Sequence, residues 1–277
     1  MDEVRVLVSG RGLVEAPRWH VGRVVFSDWT AGEVLGYDPA SGMLDVVARA
    51  SSFPLCTDWL PDGRLLVVTS PPGALLAGAP DDPAALSRYA DLSGVAAGVW
   101  NDVVADGRGN VYANGAGIEG AAGIVALVTP DGVARRVADG LAFPNGMAIT
   151  PDGRTLLVAD SWAQAILAYD IAPDGGLGGS RTWAAVAEHP DGICIDAEGA
   201  VWLADVGTSR CVRVAEGGAV LDEVRFDRGC FACVLGGPER RTLYVTAAVW
   251  RGWEEGVEPG SGILAAVDVA VPGAGRP

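Results

Sequence analysis

Short apolar runs separated by tight polar turns fill the chain, and the pattern is sharpest over residues 189–205. There the run Ile193, Cys194 and Ile195 ends at Asp196, a turn of Ala197, Glu198 and Gly199 follows, and a second apolar run, residues 201–204, leaves it. Two apolar stretches joined by a glycine-bearing turn spell a β-hairpin. Residues 144–160 repeat the arrangement: Pro144, Asn145 and Gly146 open it, Asp152 and Gly153 turn it, and Leu156, Leu157 and Val158 close it. In both copies the residue after a proline carries a side-chain oxygen, Asn145 or Asp191, eight positions before the turn glycine. That spacing places the oxygen at the head of the first strand.

The same turn and apolar pair recur along the whole chain. Counting from the first apolar residue after each turn, the units stand at positions 24, 65, 111, 156, 201 and 243, with intervals of 41, 46, 45, 45 and 42. Further strand-like runs follow each hairpin, at residues 33–38, 123–129, 165–170 and 210–215, bounded by Gly, Pro and Asp, and no long amphipathic helix is written between them. A period near 45 with about four strands per period predicts an all-β, six-bladed β-propeller that takes in residues 1–277 as one domain. A closed ring has to hide its seam, because an open edge strand invites association. The N-terminal run, residues 4–8, has no partner in the first unit, and the last unit runs out of chain near residues 267–271. The N-terminal strand is therefore expected to complete the last blade.

In a propeller the innermost strands run alongside a central channel in one sense, so the residues heading them form a ring at one mouth. Glu15, Asn101, Asn145 and Asp191 hold that place in units one, three, four and five, at 7, 8, 8 and 8 residues before Gly22, Gly109, Gly153 and Gly199. Asn, Asp and Gly are common turn residues, and only agreement in register singles these four out. Two carboxylates and two carboxamides converging on a channel lack partners without a cation, and hard oxygen donors suit Ca²⁺, Mg²⁺ or Mn²⁺.

Composition narrows the partners. Nearly half the 277 residues are apolar, enough for a sizeable core, and a formal charge of −15 argues against nucleic acid and anionic membranes. The first residues lack the basic-then-apolar pattern of a signal peptide and no apolar run is long enough to span a membrane, so a cytoplasmic monomer acting on a small molecule is expected. Five cysteines suggest no disulfide framework, and Cys230 and Cys233, a lone CxxC, are expected to be buried strand residues.

Glu15-Ala-Pro, Trp100-Asn-Asp, Phe143-Pro-Asn-Gly and His189-Pro-Asp-Gly, with residues 201–205 and 236–246, resemble the senescence-marker-protein/gluconolactonase/luciferin-regenerating-enzyme family over essentially the full length. The resemblance implies a six-bladed propeller that hydrolyses lactones with one divalent metal in the channel, calcium first, with zinc, manganese or magnesium as alternatives. It places the metal on Glu15, Asn145 and Asp191 with Asn101 nearby, and gives Asp191 the added role of proton acceptor. Paraoxonases and diisopropyl-fluorophosphatase are similar at greater distance, which implies ester or organophosphate hydrolysis as a side activity. Sugar-lactonase members carry an Arg two residues before the counterpart of Asn101, where this chain has Val99, and a further substrate-contacting Glu, which falls on Glu119.

Serine chemistry is not expected, because neither His20 nor His189 lies near a Gly-x-Ser-x-Gly motif. His20 falls at the far mouth by strand sense; His189, two residues before Asp191, is a candidate to touch substrate. Loops after the second strands should surround the pocket, and they carry Trp29, Trp162, Trp250 and Trp253, which suggests an apolar or aromatic acyl group. Each of those rings could equally pack between blades. Two other readings compete with the lactonase or esterase: a non-catalytic Ca²⁺-binding or interaction propeller, and a pathway-specific enzyme that is not a hydrolase.

Overall fold

The computed structural model describes residues 3–70, 73–96, 98–117 and 122–275, apart from the side chains of residues 116 and 117. Its strands, antiparallel throughout, form six four-stranded sheets arranged as a six-bladed β-propeller. The chain opens with β1 (Arg5–Arg11). Blade one then takes β2 (Val14–His20), β3 (Arg23–Asp28), β4 (Glu33–Asp38) and β5 (Met43–Arg49). Blade two takes β6 (Leu55–Trp59), β7 (Leu65–Thr69), β8 (Ala74–Ala79) and β9 (Asp82–Asp91). Blade three takes β10 (Gly98–Ala105), β11 (Val111–Gly117), β12 (Gly123–Val128) and β13 (Ala134–Leu141). Blade four takes β14 (Pro144–Ile149), β15 (Thr155–Asp160), β16 (Ala165–Ile171) and β17 (Leu177–Ala185). Blade five takes β18 (Ile193–Ile195), β19 (Val201–Asp205), β20 (Arg210–Val214) and β21 (Val220–Arg225). Blade six takes β22 (Gly229–Gly236), β23 (Thr242–Ala248) and β24 (Gly262–Asp268).

Every apolar pair that set the sequence period lies on the second strand of a blade, β3, β7, β11, β15, β19 or β23. Those strands read as continuous apolar runs because a neighbouring blade covers each face. β7 and β19 are buried along their whole length, whereas β21 at the rim is largely exposed. Six apolar clusters fill the spaces between successive blades. In one of them Leu66, Val68 and Leu75 of blade two meet Trp100, Val103 and Val111 of blade three.

The ring closes as the sequence suggested. β1 pairs with β24, from Arg5 opposite Ala266 to Arg11 opposite Gly262, and so supplies the outer strand of blade six. The Arg5 guanidinium grips the Asp268 carboxylate at the rim through two parallel bonds of 2.9 Å. No helix among the described residues is long and apolar enough to cross a membrane.

Candidate functional site

The innermost strands leave their ladders where the oxygen-bearing side chains stand. In β2 the pairing with β3 is regular at Glu15 opposite Ser27 and resumes only at Arg18 opposite Val25. In β10 it breaks between Trp100 and Val103, around Asn101 and Asp102, and in β14 between Pro144 and Met147, around Asn145 and Gly146. Asp191 precedes β18, tied by its own N–H to the Ala204 carbonyl at 2.9 Å. A β-bulge lets a strand turn a side chain away from the alternation of the ladder. Ala16, the residue after Glu15, pays for this with a left-handed backbone (φ 48°), and its N–H donates to the Glu15 carboxylate at 2.7 Å.

Glycine allows blades four, five and six to crowd together at the axis. The Gly146 N–H donates to the Asp191 carbonyl at 3.2 Å and the Gly192 N–H to the Phe231 carbonyl at 2.8 Å. A Cβ on Gly146 would stand 2.6 Å from the Asp191 oxygen, and one on Gly192 would stand 2.2 Å from the Ala232 Cβ.

Two of the four side chains meet directly. The Asn101 amide donates to Asn145 Oδ1 at 2.9 Å, and Asn145 lies near enough to the Asp191 carboxylate to favour its charged form. Asn145 Nδ2 also donates to the Ser161 hydroxyl at 3.3 Å, and that hydroxyl donates to the Pro190 carbonyl at 2.7 Å, which ties the loop after β15 to the approach to Asp191. Glu15 joins through charge. Burial pushes its carboxyl up to about 8, and the Asp102 charge adds to the rise while Arg18 opposes it. Asp191 is driven well above the usual carboxylate range, first by burial and next by the Glu15 charge. The Glu15 charge thus disfavours a charge on Asp191, which keeps part of its surface exposed.

Glu15, Asn101 and Asn145 line one cavity together with Arg18 and Asp102, and Gly192 brings the Asp191 segment to its wall. Among the described residues no three His, Cys, Asp or Glu side chains gather to hold a metal. A cation here would instead take two carboxylates and carboxamide oxygens, a donor set of the kind hard divalent ions accept, and its charge would relieve the repulsion between Glu15 and Asp191. The donor chemistry fits such an ion.

Arg18 and Asp102 escaped the reading of the sequence. The Arg18 guanidinium donates to Asp102 at 2.8 Å and to the Val103 carbonyl at 2.9 Å, and Asp102 accepts the Met147 N–H at 2.8 Å. The available signals were a basic residue three positions after Glu15 on the same inner strand and the acid directly after Asn101.

The four tryptophans divide. Trp162 stacks on Phe143 with ring centroids 4.6 Å apart and stays 61% exposed, and Trp253 stands edge-on to both Phe143 and Trp250 and is 75% exposed. Trp250 lies edge-on to Phe231 at 6.0 Å. Trp29 shares with Trp250 the cluster of Leu13, Phe231 and Ala248, and it also packs against the cores between blades one, two and three and edge-on to Phe53 at 5.3 Å. His189 is exposed, with Nδ1 3.0 Å from the Ser161 carbonyl. His20, at the other end of β2, stacks on Trp59 at 4.1 Å. Val99 is exposed on β10, and Glu119 lies outside the described residues. Cys230 and Cys233 are buried with free thiols.

Comparison with known proteins agrees with this architecture. A pentonolactonase of Haloferax volcanii is 27% identical over 288 residues, which cover 99% of this chain and 96% of that protein. The solved structure of a luciferin-regenerating enzyme superposes with a TM-score of 0.84 at 19% identity, covering 99% of this chain and 97% of the other. Regucalcin of Agrobacterium tumefaciens, described as a calcium-binding protein, superposes with a TM-score of 0.83 at 21% identity, covering 100% and 97%. The profile of the SMP-30/gluconolactonase/LRE-like region matches residues 13–249, and the chain belongs to that family.

Proposed function

We propose that the chain opens a lactone, or a related ester, by hydrolysis, with a divalent cation held between Glu15, Asn145 and Asp191 and with Asn101 beside it. The observation that carries this reading is that the buried Glu15 and two linked carboxamides line one axial cavity, with the half-buried Asp191 beside its wall and within the field of Glu15. The pentonolactonase among the relatives supports lactone opening, and the calcium-binding regucalcin supports calcium as the cation. When bound, the cation polarises the ester carbonyl and stabilises developing negative charge by several kcal/mol.

The protein's own residues do the rest. Asn145, through the Ser161 hydroxyl that holds the Pro190 carbonyl, positions the segment that carries Asp191 and favours its charged form. Asp191 accepts a proton from the attacking water as its oxygen bonds to the carbonyl carbon, and returns that proton to the ring oxygen when the C–O bond breaks, which leaves a hydroxy acid. Phe143, Trp162 and Trp253 offer stacked and edge-on rings to a substrate. With the apolar Val99 two positions before Asn101, an apolar or aromatic lactone suits this rim better than a sugar lactone.

The test is a panel of alkyl, aryl and sugar lactones given to chelator-stripped protein and to protein reloaded with one metal at a time. Activity should vanish on stripping, return with a divalent ion and favour the apolar lactones. Asp191→Asn should retain a cation yet lose turnover on the order of 10²- to 10⁴-fold. If no metal-loaded form turns over any lactone or aryl ester, the proposal fails.

A further inference from the structure

Four buried or half-buried carboxylates stand on the inner strands or at their heads: Glu15, Asp58, Asp102 and Asp191. Arg18 stands among them with only 5% of its surface exposed. It starts on blade one and ends on blade three, with the inner strand of blade two between, so its side chain links two blades along the wall of the cavity. Its guanidinium donates to Asp102 Oδ1 at 2.8 Å, to the Val103 carbonyl at 2.9 Å and to the Pro17 carbonyl at 3.2 Å. Its Nε–H is buried with no partner among the described residues. Asp58 feels the same positive charge and is itself fastened to blade three, where its carboxylate accepts the Ala105 N–H at 2.7 Å.

A buried guanidinium is costly unless paired, and here the pairing answers a charge problem. An ion between Glu15 and Asp191 would answer those two acids, which leaves Arg18 to answer the buried pair Asp102 and Asp58, one bonded to its guanidinium and the other lying in its field. A neutral side chain at position 18 would leave that pair with no cation beside it and open to a second ion.

We propose that Arg18 is the channel's resident cation: paired with Asp102 and lying beside Asp58, it occupies the charge position that a second divalent ion would otherwise fill, and so limits the exchangeable load to one ion at Glu15 and Asp191. This rests on the divalent-cation reading above. Arg18 is a positioning residue in this account, since it acts on the ion through the acids it neutralises and not on substrate.

The test is calorimetric titration of chelator-stripped protein with Ca²⁺, alongside thermal unfolding with and without the ion. Wild type and Arg18→Lys should bind one ion per chain and Arg18→Gln two. Stripped Arg18→Gln should melt below stripped wild type and recover on adding Ca²⁺. A single ion in Arg18→Gln, at whatever affinity, overturns the inference and leaves the cation reading standing. No ion in wild type removes both. Should Arg18→Gln stay unfolded even in saturating Ca²⁺, the arginine serves packing and not charge, and the inference falls on that result too.

Discussion

Blades two and four have the same four antiparallel strands, yet only one of them delivers an oxygen to the cavity at the head of its inner strand. In blade two, β6 keeps an unbroken ladder from Leu55 opposite Thr69 to Trp59 opposite Leu65. Its Leu55 is buried in the interface with blade one, and its Asp58 is bound to the backbone of blade three. In blade four the ladder of β14 skips between Pro144 and Met147, and in that gap Asn145 turns to Asn101 and Asp191. The unbroken β6 serves the ring alone, while the gap in β14 also brings Asn145 to the cavity; a gap by itself is not enough, since β22 skips between Cys230 and Ala232 and brings only Ala232 and Cys233 there. The site is thus a property of local ladder breaks laid over a uniform scaffold.

The comparison is broken hardest at Asn145. Asn145→Leu keeps the branched shape but removes the hydrogen bonds to Asn101 and Ser161 and the polar group beside Asp191, and it should lower lactone turnover by at least 10²-fold and weaken Ca²⁺ binding. Steady-state kinetics and calorimetry read both effects. The scaffold's allowance for the bulge is tested next by Gly146→Ala. The new Cβ would meet the Asp191 carbonyl and the Gly192 Cα at 2.6 Å each, both backbone atoms, and should cost about 1–3 kcal/mol in chemical unfolding while displacing Asp191.

A third effect is the pH dependence of the metal-free protein. Below about pH 4.5 the Glu15 carboxyl is protonated folded or unfolded, and between there and about pH 8 only the folded state keeps the proton. Stability should therefore fall by about 1.4 kcal/mol per pH unit across that window, and the raised Asp191 adds to the fall in its own range. Glu15→Gln should make the slope shallower, and Ca²⁺ should abolish it. The smallest effect belongs to the regular blade. Thr57 in β6 buries a hydroxyl with no partner among the described residues, so Thr57→Val should leave stability within about 0.5 kcal/mol or raise it, with turnover unchanged.

The fold was legible in the sequence because the second strand of every blade is covered on both faces and must read as an apolar run after a turn. The seam was legible because residues 4–8 had no partner nearby, and β1 indeed pairs with β24. Glu15, Asn101, Asn145 and Asp191 could be picked out because a first strand of fixed length sets their distance to the turn glycine. Arg18 and Asp102 could not, since their meeting depends on two residues 84 positions apart being brought together from blades one and three. Trp29 shows the opposite limit: its place after a second strand suggested the pocket, and its ring packs both against Phe53 and the blade cores and against the Leu13, Phe231 and Ala248 cluster that also holds Trp250. Nothing in a linear pattern distinguishes an aromatic ring aimed at substrate from one aimed at the next blade.

The central claim is that one divalent ion sits on the axis among Glu15, Asn145 and Asp191, and anomalous diffraction from crystals soaked in Mn²⁺ addresses it most directly. The account predicts a single strong peak within about 2.0–2.6 Å of an oxygen from each of those three residues. A peak placed elsewhere, or an axis without any, would contradict it.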